Sequence, residues 1–302
     1  MRSEANPLKN KLSWLMLVSL VSVGVLLGFA STNTIQAKNK ATIHFVAIGD
    51  SLTEGVGDTT KQQGYTKRTA HKIATRYDVT VKTANYGKAG DRSDQILARI
   101  KKQPQALQDI KQADVIALTV GGNDLQQTLF KAIFAKSPQK VTNQVAKSMP
   151  DYTENLMKLV SFIEKHNRQA PIFLFGNYNP LYVYLANRPD LNADVRIYNG
   201  INANLAAADD QLYYVSTFRT LTYGQYTTKS AREKLEQQAD EANRGSLHNK
   251  VVQKALSKSA DTELNDYLTT LDHYHPNDTG YDKMSQLLMK RLVQKKSTWL
   301  EK

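Results

Sequence analysis

The stretch TIHFVAIGDSLTEG, residues 42–55, indicates the class of fold. Its first part, residues 42–48, is a run of mostly apolar side chains that ends at Gly49. Apolar runs of this length that end at a glycine are typical of strands buried on both faces of a parallel sheet. The polar residues that follow would then lie at the carboxyl end of a buried strand, where ligands bind in such sheets.

Four further runs along the chain are also apolar and strand-like. They cover residues 79–84, 115–120, 172–175 and 212–215. Segments with apolar residues at helical spacing lie between these runs, at residues 65–77, 93–111 and 152–166. Because strand and helix alternate, we predict a three-layer α/β/α sandwich with a parallel sheet of about five strands and right-handed crossovers.

The composition excludes several classes of site. Of the 302 residues, 41% are hydrophobic and 23% are charged, which is ordinary for a globular protein and unlike a mainly disordered chain. The chain has no cysteine, so it cannot form a disulfide, a cysteine-ligated zinc site, an iron–sulfur cluster or a cysteine nucleophile. We expect neither a metal nor a cofactor.

The chain carries a formal net charge of +12. Five basic residues against one acidic residue give residues 1–40 a charge of +4, which leaves +8 on the remainder. Such an excess favours anionic neighbours, including acidic lipids and anionic wall polymers. The basic residues are scattered, without a dense run, so we predict a solvated basic surface and no nucleic-acid partner.

Residues 12–30 form an uncharged, mainly apolar stretch of 19 residues that three basic residues precede. This length is close to the ~20 residues that a helix needs to span a bilayer. We predict an N-terminal hydrophobic helix, either retained as a membrane anchor or cleaved as a signal after Ala30 or Ala37. The positive flank places the rest of the chain on the extracellular side of the plasma membrane. The predicted units are residues 1–40, signal or anchor plus linker, and residues 41–302, the folded domain.

The motif GDSLTEG, residues 49–55, places Ser51 where the first strand turns into a helix. Such a turn exposes the serine hydroxyl at the edge of the sheet. The helix that follows brings backbone N–H groups close to the same place. Ser51 is therefore a candidate nucleophile.

The motif DHYHP, residues 272–276, lies near the end of the chain. Asp272 and His275 are three residues apart, so one helical turn would bring their side chains to the same side. Pro276 moves His275 out of helical geometry, which suits a ring that projects from a loop. The carboxylate would hold one tautomer of the imidazole, and the other ring nitrogen would face Ser51 as a general base. His273 is the rival base, but its adjacency to Asp272 directs it to a different side.

Two glycine-containing motifs follow other predicted strands. GGND, residues 121–124, comes after the third run, and its Asn123 amide can donate to a developing oxyanion. NYGKAG, residues 85–90, comes after the second run, and Gly90 can offer a backbone N–H to the same oxyanion. Together the four motifs predict one site with a nucleophile, a base, an orienting carboxylate and an oxyanion hole.

These motifs resemble the blocks of the SGNH/GDSL hydrolase family, in the same order and over roughly residues 43–290. The resemblance implies the following site residues: Ser51 as nucleophile, Asp272 and His275 as its supporting pair, and Ser51, Gly90 and Asn123 as oxyanion donors. It also implies a flavodoxin-like sheet and metal-free hydrolysis of esters or thioesters. The layout is similar to that of exported GDSL lipase/acylhydrolase-like proteins of Gram-positive bacteria.

An ordinary α/β-hydrolase, which has the same order of serine, aspartate and histidine, is a near alternative. Its nucleophile lies in a G-x-S-x-G elbow, whereas Ser51 lies in GDSLT and the chain has no other such elbow. Ser51 also follows the first strand, with most of the domain still to come. The sequence therefore favours the GDSL resemblance.

The sequence leaves the substrate open. An acyl-lipid ester and an O-acetyl ester of a wall or extracellular glycan both suit an exported esterase, and a non-catalytic surface-binding module is the alternative from another class. Two helical additions, near residues 126–149 and 223–266, bear on this question. The apolar part of the first, residues 129–134, favours an acyl chain if it covers the cleft, and a packed core helix is the alternative. The second addition can be a lid, a partner surface or a solvated appendage.

Overall fold

Five parallel strands form one sheet in the computed structural model, which describes residues 39–132, 138–242, 244, 249–256 and 262–301. The strands are β1 (Thr42–Gly49), β2 (Thr80–Gly87), β3 (Val115–Thr119), β4 (Ile172–Phe175) and β5 (Leu212–Val215). Their order across the sheet is β2-β1-β3-β4-β5, and every neighbouring pair is parallel. This is the flavodoxin-like order, so the predicted fold class is confirmed.

Helices cover both faces of the sheet. Within the described ranges they are α1 (Ser51–Glu54), α2 (Tyr65–Tyr77), α3 (Ser93–Lys101), α4 (Pro104–Gln112), α5 (Gly122–Ala132), α6 (Pro138–His166), α7 (Pro189–Ala207), α8 (Phe218–Tyr223), α9 (Lys229–Glu241), α10 (Lys250–Leu256) and α11 (Asp278–Gln294). Phe45 and Ala47 of β1 belong to the hydrophobic cluster that contains α2 and α11. Val46 and Ile48 belong to the cluster that contains α3, α4, α6 and α7. Successive side chains of β1 thus point to opposite faces of the sheet and pack against the helices of the two outer layers.

Two predicted helices differ from the structure, and a proline explains each difference. The predicted helix at residues 93–111 is two helices, because Pro104 begins α4 and the residue before it has an extended backbone. The predicted helix at residues 152–166 begins earlier, at Pro138, and α6 continues through Pro150. A proline inside a helix removes a backbone hydrogen bond, so Pro150 concealed this continuity in the sequence.

The predicted N-terminal helix, residues 12–30, lies outside the described residues. Within the described ranges, none of the helices combines the length and the hydropathy needed to cross a bilayer. The division of the chain into residues 1–40 and 41–302 stays a prediction.

The first addition consists of the end of α5 and the beginning of α6. Val141 of α6 is buried in a cluster with Leu185, which lies between β4 and α7, and Leu191, in the first turn of α7. The side chains of residues 129–134, the predicted cover of the cleft, lie outside the described part of the chain.

The second addition packs on the segment between β4 and α7. Leu235 of α9 shares a hydrophobic cluster with Val183. Val252 of α10 shares another with Leu185. Both aliphatic pairs are buried, so α9 and α10 cover this segment and do not stand apart as a solvated appendage.

Asp194 is a fully buried carboxylate on α7, and neither of its oxygens accepts a well-formed hydrogen bond from the described residues, although the Thr142 hydroxyl lies nearby. Burial raises the pKa of Asp194 to about 6. The nearby Thr142 hydroxyl and Arg188 guanidinium offset part of this rise, and the Asp190 carboxylate adds to it. A buried carboxylate without a direct partner destabilises the folded state when it is charged.

Asp194→Asn removes this charge at nearly constant volume. Because the folded-state pKa lies above the value of about 3.9 in unfolded chains, the wild type loses stability as the pH rises from about 4 to about 6, and the loss persists at higher pH. The variant should exceed the wild type in unfolding free energy by about 2 kcal/mol near pH 7 and match it near pH 4. Urea unfolding at both pH values measures the difference, with the exposed Asp210→Asn as control. A variant no more stable than the wild type near pH 7 contradicts this account of Asp194.

Candidate active site

A short turn at the end of β1 carries Ser51. Gly49 is the last residue of β1, Asp50 is the N-cap, and Ser51 begins α1. The Asp50 carboxylate accepts hydrogen bonds from the backbone N–H of Leu52 (3.0 Å) and from the hydroxyl of Thr119 (2.8 Å) at the end of β3. Because β1 lies between β2 and β3, this turn places Ser51 at the carboxyl edge of the sheet, away from its ends.

Ser51, His275 and Asp272 form a chain of hydrogen bonds. The Ser51 Oγ atom lies 2.7 Å from His275 Nε2, and His275 Nδ1 lies 2.5 Å from Asp272 Oδ2. The side chains of His275 and Asp272 are 15% and 12% exposed, so both are largely shielded from water. The structure thus brings together the three residues that the sequence proposes as nucleophile, base and orienting carboxylate.

Asp272 and His275 meet through a non-helical turn. This agrees with the loop that Pro276 predicts for His275 and differs from the helical turn that the spacing alone suggests. Asp272 Oδ1 accepts the backbone N–H groups of Tyr274 (3.0 Å) and His275 (2.9 Å). His273, between them, has a φ of 57°, a left-handed conformation that right-handed helices exclude. The carboxylate of Asp272 therefore holds both the backbone and the imidazole of His275.

These hydrogen bonds change the acidity of Asp272. Burial by itself would raise the pKa of this carboxyl. The imidazole of His275 and the backbone N–H groups of His275 and Tyr274 favour the charged form, and they lower the pKa to about 2. The carboxylate is therefore ionised at neutral pH, as a group that stabilises an imidazolium must be.

His273, the rival base, lies in a different environment. Its side chain is buried, its Nδ1 atom lies 2.6 Å from Glu263 Oε2, and its ring meets Tyr184 edge-on. Glu263 belongs to the second addition, so His273 joins that addition to the turn of Asp272. His275, not His273, contacts Ser51.

Asn123 and the loop of Gly90 lie next to each other. Asn123 is the second residue of α5, and its Nδ2 atom donates to the backbone carbonyl of Asp91 (2.8 Å). Arg99 donates to Asp91 Oδ2 (2.7 Å) and to the carbonyl of Gly49 (3.0 Å). Gly90 has a φ of 84°, which favours glycine. Arg99 thus ties the Gly90 loop to the end of β1, one residue away from Asp50.

An open pocket of about 820 Å³, including the solvent space at its mouth, lies beside Ser51. Its apolar and aromatic lining consists of Leu52, Leu125, Tyr178, Pro180, Leu181, Leu191, Val195 and Tyr274, and its polar lining includes Asp50, Asn123, Gln126, Asn177 and Asn179. Gly90 is not among the lining residues. Such a lining suits a ligand with an apolar chain and few polar atoms. In the described ranges, no cluster of His, Asp and Glu side chains is placed to hold a metal ion.

The sequence profile of the GDSL-like lipase/acylhydrolase family matches residues 47–283, a range that contains Ser51, Asn123 and His275. The chain belongs to the GDSL-like lipase/acylhydrolase family. Membership of this GDSL-like family confirms the resemblance that the four motifs indicate.

Relatives of the chain include two Bacillus proteins. The uncharacterized protein YpmR of Bacillus subtilis (strain 168) is 33% identical over 167 residues, which are 55% of this chain and 63% of YpmR. The spore germination lipase LipC of Bacillus licheniformis is 25% identical over 251 residues, which are 82% of this chain and 95% of LipC. The chain thus matches less than two thirds of YpmR and nearly all of LipC.

Among solved structures, the lipase Lip_vut3 from a goat rumen metagenome has a TM-score of 0.57 with this GDSL-like protein. The two sequences are 22% identical, and the alignment covers 82% of this chain and 96% of the other. A likeness at this level of identity supports the fold alone.

Several pocket residues of this GDSL-like protein were not singled out from the sequence. Residues 177–179 follow β4 in the stretch FGNYNP, and Tyr274 lies between the two histidines of DHYHP. A signal for the first group exists, because polar residues after Gly176 must lie at the same edge of the sheet as Ser51. Short Asn-rich and Pro-containing stretches are also typical of turns, which hid this signal.

Gly49 leaves no room for a side chain before the turn that carries Ser51. A methyl group on Gly49 would lie 2.2 Å from Thr119 Oγ1 and 2.4 Å from the Thr119 carbonyl oxygen. Gly49→Ala should lower the free energy of unfolding by about 3 kcal/mol, because β3 must move to admit the methyl group. In the control Gly200→Ala, on α7, the methyl group meets nothing within 4 Å, so stability should stay level or rise by up to about 1 kcal/mol. Urea unfolding compares the two, and equal stabilities contradict the close contact at Gly49.

Proposed function

We propose that this protein is an exported serine ester hydrolase, with Ser51 as nucleophile, His275 as general base and Asp272 as the residue that orients His275. The chain of hydrogen bonds through Ser51 Oγ, His275 Nε2 and Nδ1, and Asp272 Oδ2 carries the proposal. A nucleophile within reach of a base, and a base held by a third group, is the arrangement that activates a serine hydroxyl. Family membership and the pocket beside Ser51 support the same activity.

The proposed reaction has two halves. In the first, Ser51 Oγ bonds to the acyl carbonyl carbon and gives its proton to His275 Nε2. The tetrahedral intermediate then breaks its bond to the alcohol, which takes that proton from His275. In the second half, water gives a proton to His275 Nε2 and bonds to the acyl carbon of the acyl-serine. The bond between that carbon and Ser51 Oγ then breaks, His275 returns the proton to Oγ, and the acid leaves. Asp272 accepts from His275 Nδ1 throughout and stabilises the transient imidazolium.

The proposed oxyanion donors are the backbone N–H groups of Ser51 and Gly90 and the side-chain amide of Asn123. Ser51 is the first residue of α1, where a backbone N–H has no partner within the helix. Asn123 uses one amide hydrogen for the carbonyl of Asp91, and its Nδ2 atom carries a second. Donors held in this way stabilise the negative charge of the intermediate, and loss of one typically costs ~10²–10³ in rate.

Ser51→Ala removes the proposed nucleophile with little change in volume. Hydrolysis of p-nitrophenyl butyrate should fall by at least ~10³-fold, because the variant lacks the hydroxyl that contacts His275 Nε2. Exposed Ser230→Ala on α9 should retain the wild-type rate. A fluorophosphonate probe should label the wild type and Ser230→Ala but not Ser51→Ala. Folded wild-type protein that neither reacts with the probe nor cleaves esters would favour the non-catalytic surface-binding module.

The substrate that we favour is an ester with an acyl chain longer than acetyl. The pocket beside Ser51 is lined by aliphatic side chains that include Leu125, Leu191 and Val195, all largely buried. Burial of each methylene group contributes about 0.8 kcal/mol, so such a pocket is best used by an extended chain. LipC, which matches 82% of this chain, is a spore germination lipase, and this agrees with an acyl-lipid substrate. An O-acetyl esterase acting on glycans is the second candidate.

Acyl length separates these two candidates. Two added methylene groups should make kcat/KM about tenfold higher for the butyryl than for the acetyl p-nitrophenyl ester. Val195→Phe narrows the pocket and should move the preferred length towards acetyl, whereas Val251→Phe, at an exposed site of α10, should not. A wild-type preference for acetyl esters, unchanged in Val195→Phe, contradicts the acyl-chain proposal and favours the O-acetyl esterase.

The proposed location rests on the sequence of residues 12–30. We propose that this stretch directs the chain to the extracellular side of the plasma membrane and contacts the bilayer as an anchor or a signal. Intact-mass measurement of the mature protein distinguishes the anchored form from one cleaved after Ala30 or Ala37.

A further inference from the structure

Asn177, immediately after β4 and Gly176, is held rigidly at the edge of the pocket. Its backbone N–H donates to Asn199 Oδ1 (2.6 Å), and Asn199 Nδ2 donates back to the Asn177 carbonyl (2.9 Å). Asn199 is on α7 and is itself buried. These two hydrogen bonds fix the backbone of Asn177 and do not involve its side chain.

The side chain of Asn177 lines the pocket, and only 6% of the residue is exposed. Its Nδ2 atom has no hydrogen-bond partner among the described residues. By contrast, the amide of neighbouring Asn179 donates to Asn192 Oδ1 (2.9 Å). Buried side-chain donors in folded proteins are almost always paired, and an exception beside a pocket indicates a ligand that supplies the missing acceptor.

The Asn177 amide faces Gly122 through its Oδ1 atom, together with polar atoms of two other residues. A methyl group on Gly122 would lie 3.5 Å from Asn177 Oδ1, 3.7 Å from Asp50 Oδ2 and 4.0 Å from the hydroxyl oxygen of Tyr274. All four residues line the pocket with Ser51. We call this group of Asp50, Gly122, Asn177 and Tyr274 the polar corner. It lies in a pocket whose other walls are mainly aliphatic, and an alkyl chain cannot satisfy its polar atoms.

We propose that the polar corner binds a hydroxyl group of the substrate, close to the ester that is cleaved. A hydroxyl beside the Asn177 amide can donate, to Asn177 Oδ1 or Asp50 Oδ2, and can also accept, from Asn177 Nδ2 or the Tyr274 hydroxyl. A carbonyl oxygen can only accept. Gly122, which lacks a side chain, leaves the space that this hydroxyl occupies. The inference rests on the proposed function and narrows its substrate class to hydroxylated esters.

Such a hydroxyl has two sources. It belongs either to the alcohol part of the ester, as in a monoacylglycerol, or to the acyl part, as in a 3-hydroxyacyl ester. Three substrates of equal acyl length separate them: ethyl butyrate, glycerol monobutyrate and ethyl 3-hydroxybutyrate. The wild type should have a higher kcat/KM for one of the two hydroxylated esters than for ethyl butyrate, and the preferred one identifies the source.

Asn177→Ala should lower that preference about tenfold, since the hydroxyl loses its donor. The readout is the ratio of kcat/KM between the preferred hydroxylated ester and ethyl butyrate, so a general loss of activity does not imitate the effect. Asn204→Ala, at an exposed position of α7, is the matched control and should keep the wild-type ratio.

Gly122→Ala is a second and independent variant. Its methyl group meets only ordinary contact distances, so the protein should fold, yet the methyl group fills the polar corner and should lower the same ratio. A wild type with no preference for either hydroxylated ester overturns the inference, as do ratios that neither variant changes. Both results leave the proposed function intact, because that function fails only if Ser51→Ala retains activity.

Discussion

The hydrogen bond between Thr119 and Asp50 is the contact on which the site depends. It joins the carboxyl ends of β1 and β3, which are paired neighbours within the sheet. It also holds the turn that begins at Ser51. Burial raises the pKa of Asp50, while the hydroxyl of Thr119 and a backbone N–H favour its charged form. The turn presents the Ser51 hydroxyl to His275, which lies 224 residues further along the chain.

Hydrogen-bond donors, and not burial alone, decide the pKa values of Asp272 and Asp194. Asp272 and Asp194 are both largely removed from water. Asp272 accepts two backbone N–H groups and the imidazole of His275, and its pKa falls to about 2. Asp194 has no such donors, and burial raises its pKa to about 6. Asp272 is thus stably ionised beside the imidazole of His275. Ionised Asp194 on α7 is unfavourable for the folded state.

α7 is the element that shapes the pocket, and its sequence has two tasks. Leu191 and Val195 line the cavity, while asparagines of the same helix hold the residues after β4: Asn192 accepts from Asn179, and Asn199 pairs with the backbone of Asn177. Such hydrogen bonds offset the cost of burying the polar groups. α9 and α10 cover the outside of this segment, so the second addition supports the wall of the pocket.

The sequence by itself determined the strands and their parallel arrangement, and it predicted that Ser51, Asp272 and His275 lie together, because apolar runs and short motifs are local signals. It did not show the break at Pro104, where local turn chemistry interrupts a continuous helical pattern. Only the tertiary structure decided that Asn177 joins the polar corner beside Ser51. Contacts between residues far apart in the chain depend on how the sheet brings its strand ends together, and no local pattern encodes that.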